Sequence, residues 1–315
     1  MKTTTALLLL LSAIPVLAQD KPSPASIPAD LSFRKADIMS EGTRIAAELF
    51  APKMPKSAKL PTILMSHGWG GTARALRPDA VIFAQAGYLV VTIDYRGWGE
   101  SDSRLIAAGK PQQKDGKLVG EFIEVREVVD PIDQTTDLLN ALHWLQSEEL
   151  CDKDRIGLWG SSFAGGHVVY VAARDPRVKA LVSQVGSMDA RWTIQDPRMR
   201  AETFRQGAAR TRGQLPYPKP GAKWGKLTGV PILEKLMGYS PIEDIDRCDD
   251  CAKLFIIAEH EELFDNKDHG ILAHQRAGGV KKLVTVKGIK HYGIYREKRQ
   301  EAQTLALDWY NEHLK

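Results

Sequence analysis

The chain has 315 residues, 43% hydrophobic and 26% charged, a globular composition with length enough for one large core. A formal net charge of +4 is too mild for a nucleic-acid-binding surface. Its three cysteines, Cys151, Cys248 and Cys251, include one Cys-x-x-Cys and no second one to complete a zinc site.

Residues 1–18 read as a signal peptide, with Lys2, the apolar run Ala6 to Leu11, and Val16-Leu17-Ala18 before Gln19. The run is too short to cross a bilayer, and no cysteine follows it to take a lipid anchor. Cleavage after Ala18 and a periplasmic or secreted location are expected. Residues 19–30, rich in Pro, Ser and Ala, form a flexible leader. An oxidising compartment would permit a Cys248–Cys251 disulfide. The pair precedes a strand and does not open a helix, so a redox role is not expected.

Leu31 to Met39 and Arg44 to Phe50 alternate apolar and polar residues about Glu41-Gly42, a hairpin at a sheet edge. Pro61 to Ser66 is a continuous apolar run, as a buried parallel strand should be, and enters His67-Gly68-Trp69-Gly70-Gly71. Pro78 to Ala86 reads as a helix. Tyr88 to Ile93 is the next buried strand, ending in Asp94-Tyr95-Arg96-Gly97-Trp98-Gly99-Glu100-Ser101. Residues 102–129 read as an irregular surface excursion. Asp130-Pro131 opens an amphipathic helix to about Glu149, with Leu138, Leu142 and Leu145 on its inner stripe.

The apolar run Arg155 to Trp159 then turns sharply through Gly160-Ser161-Ser162-Phe163-Ala164 into a helix reaching Asp175. Val178 to Val185 is a strand. From 186 to about 248 the alternation stops, and six prolines intervene. This is too long for a plain connection and reads as an inserted cap, with helices near 202–209 and 232–237. Lys253 to Ala258 is a strand, Phe264 to Arg276 a helix, Lys281 to Val286 the last strand, and Tyr295 to His313 a closing helix. The pattern predicts one α/β domain over 31–315, a doubly wound, mostly parallel eight-stranded sheet with helices on both faces and an inserted cap. Trp69, Tyr95, Ser162, Glu261 and His291 all follow a predicted strand end, where such sheets place their sites.

A serine hydroxyl needs a base, an oriented imidazole and donors for an oxyanion. The small residues Gly160 and Ala164 leave room for a serine exposed at a strand-to-helix turn, and that serine is Ser162. His291 follows the last strand, between Gly288 and Gly293. His143, His167, His269, His274 and His313 fall on predicted helices, His67 suits backbone bracing, and His260 belongs to the acidic loop. That loop offers five acids to orient the imidazole, Glu259, Glu261, Glu262, Asp265 and Asp268. No dinucleotide, P-loop or His-Glu-x-x-His motif occurs, so no cofactor and no metal are expected.

Four of these stretches resemble α/β-hydrolase motifs. Gly160-Ser161-Ser162-Phe163-Ala164-Gly165-Gly166 resembles the nucleophile elbow, with Ala164 where the common form has glycine. Ala258-Glu259-His260-Glu261 resembles the strand–Gly–x–x–Asp turn, with Ala258 and Glu261 as departures. His67-Gly68-Trp69-Gly70 resembles the His-Gly-x-Gly turn, and residues 94–101 the Asp-x-Arg-Gly-x-Gly-x-Ser turn. The whole looks like the secreted esterase and dienelactone-hydrolase-like group of the α/β-hydrolase superfamily.

The resemblance implies Ser162 as nucleophile, His291 as base, Glu261 as orienting acid, and the Trp69 and Phe163 amides as oxyanion hole. It implies cleavage of a small-molecule carboxylic ester through an acyl-enzyme. Tyr95, Trp98, Trp192 and Tyr292 are expected to contact substrate. Nine basic residues against three acids over 186–230 suggest either a solvated cap or one that attracts anionic substrates. A prolyl-oligopeptidase-like serine peptidase and a non-catalytic binding protein on the same fold are the alternatives. Nothing in the sequence fixes an oligomeric state.

Overall fold

The computed structural model describes residues 27–248 and 250–315. The signal-peptide reading of 1–18, and most of the 19–30 leader, lie outside the described residues.

Strand β1 (Leu31–Ser40) turns into β2 (Thr43–Pro52) through Glu41 and Gly42, at φ 48° and 84°. Two successive positive φ values make the tight turn whose twist suits paired antiparallel strands. The next strands are β3 (Leu60–Ser66), β4 (Leu89–Ile93), β5 (Cys151–Ser161), β6 (Val178–Gln184), β7 (Ala252–Ala258) and β8 (Lys281–Val286). They form an eight-stranded sheet in the order β1-β2-β4-β3-β5-β6-β7-β8. β1 and β2 pair antiparallel, as do β2 and β4, and every other pairing is parallel.

The sheet is covered on both faces. The helices are α1 (Ala73–Gln85), α2 (Pro131–Leu145), α3 (Phe163–Ala172), α4 (Pro197–Thr211), α5 (Gly270–Arg276) and α6 (Arg299–His313). Alternate side chains of each strand feed opposite cores. Leu64, Val91, Leu158 and Phe255 pack with Leu138, Leu142 and Leu145 of α2 and Val168 and Val169 of α3. Ile63, Met65, Val90 and Ile256 pack with Phe83 of α1 and Ala306 and Tyr310 of α6. Both faces being dry explains why β3, β4 and β7 read as unbroken apolar runs. No described helix is long and apolar enough to cross a membrane.

Four helix starts differ from the sequence expectation, α4 beginning at Pro197, where the Asp196 side chain caps it, and not at 202. α1 begins at Ala73 and carries Pro78 inside it, because the buried Asp94 Oδ1 accepts the Ala73 amide at 2.7 Å and seeds the helix upstream. α5 begins at Gly270 and not at Phe264, which stays in the loop after β7. α6 begins at Arg299, since residues 291–295 form a separate 3₁₀ turn that carries His291.

Residues 102–129 are not irregular. Arg104–Ala107 pairs with Phe122–Val125 around a smaller hairpin, Gln112–Lys114 with Lys117–Val119. Strands this short show too few alternations to stand out in sequence. Val128–Val129 then pairs with Val230–Pro231, lacing this ribbon to the long insertion between β6 and β7. That insertion carries α4, the one-turn helices Trp192–Gln195 and Leu233–Leu236, and the pair Lys223–Trp224 with Leu227–Thr228.

Arg96 ties the 94–101 turn to α2. Its Nε and Nη2 donate to Asp137 Oδ1 at 2.9 and 2.7 Å, and its amide donates to Oδ2 at 2.8 Å. Asp137 is fully buried, and desolvation pushes its pKa up even against Arg96. Removing the guanidinium strands a buried carboxylate. Arg96→Ala is therefore expected to lower the unfolding free energy by about 3 kcal/mol in denaturant titration, and a loss below about 1 kcal/mol would contradict this.

Candidate active site

β5 is buried from Ile156 to its end, and the chain reverses into α3 at one residue, Ser162, with φ 57° and ψ −123°. A non-glycine residue in that region costs of order 1–3 kcal/mol and holds only where its surroundings enforce it. They do so here. A Cβ on Gly160 would stand 2.2 Å from the Ala164 carbonyl oxygen, so that position must be bare. Ala164 itself is fully buried, which shows that one methyl fits where the common motif has glycine.

The turn presents Ser162 Oγ to His291 Nε2 at 3.1 Å. On the ring's other side, His291 Nδ1 lies 2.8 and 3.0 Å from the two Glu261 carboxylate oxygens. The Glu261 and His291 side chains are only 2% and 1% exposed, so this pairing is shielded from water. A carboxylate on Nδ1 fixes the proton there and leaves Nε2 to accept from the serine hydroxyl. Glu261 Oε1 also accepts the Leu263 amide at 3.0 Å. Phe264, Tyr292 and Tyr295 pack around the imidazole, with ring centroids 5.8, 5.2 and 6.2 Å away.

Three of the rival acids have other partners. Glu259 takes Lys287 Nζ and the Gly288 amide. Glu262 accepts the His291 main-chain amide at 2.8 Å and so braces the same loop from behind. Asp265 accepts the Lys267 amide.

The turn after β3 lies against the elbow. A Cβ on Gly68 would come within 2.7 Å of the Ser161 oxygen and 2.9 Å of Ser162 Cβ. Among the described residues, no carbonyl takes a turn, cap or inter-element hydrogen bond from the Trp69 or Phe163 amide. Trp69 Nε1 donates to the Gly229 carbonyl at 3.0 Å, which seats the insertion on this turn.

A cavity of about 370 Å³ opens above Ser162. Trp69, Phe163, Trp192, Trp224, Leu236, Tyr239, Leu263 and Phe264 give it a largely apolar wall, and Ser187, Asp189 and His269 add polar groups. Trp192 thus reaches the cavity; three other expected substrate contacts do not. Tyr95 is fully buried between His67 and His167, at ring distances of 4.5 and 5.7 Å. Trp98 is 3% exposed and donates from Nε1 to the Val128 carbonyl. Asp94 and Arg96 pull their shared turn down onto the core, and both aromatics go with it. Tyr292 flanks His291 but is 44% exposed and stands outside the cavity wall.

No lysine or arginine lines the cavity. Arg191 is spent on Asp189 and Glu243, Arg205 on Glu202 and Arg210 on Glu234. The excess positive charge of the insertion therefore belongs to its outer surface, and attraction of anionic substrates into the cavity has no support here. The sequence does not place Tyr239, Leu263, Phe264 or His269 at the cavity: its pattern predicts Phe264 and His269 on a helix that begins only at Gly270, Leu263 belongs to the acidic loop, and Tyr239 lies in a stretch without periodicity.

Tyr239 is held by a buried relay. His167 Nε2 donates to Gln134 Oε1 at 3.1 Å, and Nδ1 accepts the Tyr239 hydroxyl. Burial drives the His167 pKa down to about 3, and that of His67 to about 4.

A sheet of this order, with a strained serine turn at the end of its fifth strand, defines an α/β-hydrolase. Solved structures agree with that fold. The hypothetical protein PA2218 from Pseudomonas aeruginosa superposes with a TM-score of 0.74 at 20% identity, covering 95% of this chain and 98% of that one. Acetyl xylan esterase 1 from Thermoanaerobacterium sp. JW/SL YS485 gives 0.60 at 18% identity, covering 91% and 86%. Residues 41–217 match the family model described as X-Pro dipeptidyl-peptidase (S15 family), and the chain belongs to that family. An uncharacterized 31.7 kDa protein in the traX-finO intergenic region of Escherichia coli is 29% identical over 290 residues, covering 81% of this chain and 92% of that protein. Together these relatives support a hydrolase.

The two buried histidines make a prediction about stability. Both have folded pKa values below the ordinary value of 6.5, so the unfolded chain takes up protons that the folded chain refuses. Their stabilisation is complete above about pH 6.5 and is lost as pH falls toward 4 for His67 and toward 3 for His167, at up to about 1.4 kcal/mol per pH unit for each ring. Denaturation at stepped pH should show this slope, and His167→Gln should make it shallower. An unchanged slope in the variant would contradict the assignment.

Proposed function

We propose that the chain is a serine hydrolase that cleaves carboxylic esters through an acyl-enzyme. The observation that carries the reading is the unbroken line from Ser162 Oγ through the His291 ring to the buried Glu261 carboxylate. Ser162 attacks the ester carbonyl while His291 Nε2 takes its proton. The oxyanion forms against the Phe163 and Trp69 amides, which stand at a helix start and a glycine-rich turn with no competing carbonyl among the described residues. His291 then protonates the departing alkoxide, and the alcohol leaves. Water, deprotonated by the same nitrogen, attacks the acyl-serine, and Ser162 is regenerated. Glu261 keeps the tautomer and orientation of His291 throughout and offsets the charge of the imidazolium.

The apolar, aromatic cavity favours an uncharged acyl or aryl ester of modest size. In this reading the insertion after β6 is a cap that walls the cavity. Export with removal of residues 1–18 is part of the same proposal, and N-terminal sequencing of the exported protein would find Gln19 first.

A second reading has one observation in its favour. The family is described by a peptidase activity, and a peptide N-terminal ammonium would need a carboxylate in the cavity. Asp189 stands there, but Arg191 donates to both of its oxygens at 2.6 to 2.9 Å, so its charge is already answered.

Hydrolysis of p-nitrophenyl acetate, butyrate and octanoate separates these readings. The wild-type protein is expected to cleave at least one ester, with Ser162→Ala losing about 10⁴-fold or more and Glu261→Gln about 10³- to 10⁴-fold in kcat. Ester cleavage unaffected by Ser162→Ala would end the proposal. Faster release of p-nitroaniline from Ala-Pro-p-nitroanilide than of nitrophenol from any ester would move the assignment to a peptidase.

A further inference from the structure

One polar group on the cavity wall has no part in the steps above. His269 sits in the loop before α5, is 6% exposed and lines the cavity that Ser162 opens into, so the little surface it exposes faces that space. Its Nδ1 accepts the Met188 main-chain amide at 2.8 Å. A neutral ring bonded in that way carries its proton on Nε2. Nε2 has no hydrogen-bond partner among the described residues. Burial lowers the ring's affinity for a second proton, which keeps it a neutral donor. Phe264 packs against it, tilted by 52° with ring centroids 4.4 Å apart, and from the same ring reaches His291 at 5.8 Å. The donor therefore stands one phenyl ring away from the reacting imidazole, within reach of a short acyl chain.

We propose that His269 is a specificity-determining residue, donating from Nε2 to an uncharged oxygen carried on the acyl chain of the substrate, a keto, hydroxyl or ether oxygen remote from the scissile carbonyl. This rests on the ester-hydrolase reading above. A plain hydrocarbon chain in the cavity would leave the N–H desolvated and unpaired, and an acceptor would satisfy it, so the site discriminates in favour of the oxygenated chain. The acceptor is uncharged because no lysine or arginine lines the cavity to offset a carboxylate taken out of water.

The test is the ratio of kcat/KM for p-nitrophenyl 4-oxopentanoate over pentanoate, and for 5-oxohexanoate over hexanoate. At these positions the keto group perturbs the scissile carbonyl little. His269→Asn offers Met188 an oxygen in place of Nδ1 but withdraws the cavity donor. His269→Gln places an amide N–H near the position of Nε2. The wild-type ratio should exceed one for at least one chain length, fall about 3- to 10-fold in His269→Asn, and recover in His269→Gln. A ratio that is the same in wild type and His269→Asn, with ester cleavage intact and still abolished by Ser162→Ala, overturns this inference alone. A wild-type protein that cleaves none of the esters removes the underlying reading and this inference with it.

Discussion

The site depends on one turn. Between the last buried residue of β5 and the first turn of α3 the chain reverses at a single residue in a disfavoured backbone region. That reversal puts Ser162 Oγ at the sheet's carboxyl edge, and it survives because bare glycines crowd it. Gly160 lies under the Ala164 carbonyl, and Gly68 lies against the serine itself. A parallel sheet sends the loops after β3, β5, β7 and β8 to the same edge, so the two amides, the serine, the acid and the histidine converge there without any long-range search.

The second constraint is electrostatic. Glu261 and His291 are both shielded, and a buried carboxylate without its partner would be costly. The pair stabilises itself and fixes the imidazole tautomer in one arrangement. Glu262 adds a backbone anchor from the neighbouring position, which gives two consecutive glutamates unlike tasks, one on the ring and one on the main chain. Deeper down, Asp94 and Arg96 hold the 94–101 turn against α1 and α2, and His167 with Gln134 holds Tyr239 in the cavity wall.

Much of the fold was legible because burial on both faces writes itself as continuous apolar runs, and the eight sheet strands were read close to their observed bounds except that β5 starts at Cys151, four residues before its apolar run. The small residues around Ser162 and the position of His291 after the last strand carried the site in the same way. Glu261 could be ranked above its neighbours only by the resemblance of its turn, since five nearby acids differ in nothing that sequence displays; hydrogen-bond partners distinguish them. The cavity was the least legible part. Tyr95 and Trp98 carry aromatic rings in a loop beside the site, yet a buried aspartate and an arginine draw that loop inward. Tyr239 comes from a stretch where neither a period of two nor one of 3.6 is sustained, Phe264 and His269 from one whose pattern suggests a helix that starts six residues later, and only folding brings them over the serine.

The central claim is that Ser162 carries the acyl group between two half-reactions. Intact-protein mass spectrometry on samples quenched within milliseconds of mixing with p-nitrophenyl butyrate reads this directly. The account predicts a transient mass increase equal to one butyryl group, mapped by peptide analysis to Ser162 and decaying as butyrate is released. Ester turnover with no adduct, together with a burst-free release of nitrophenol that persists in Ser162→Ala, would contradict it.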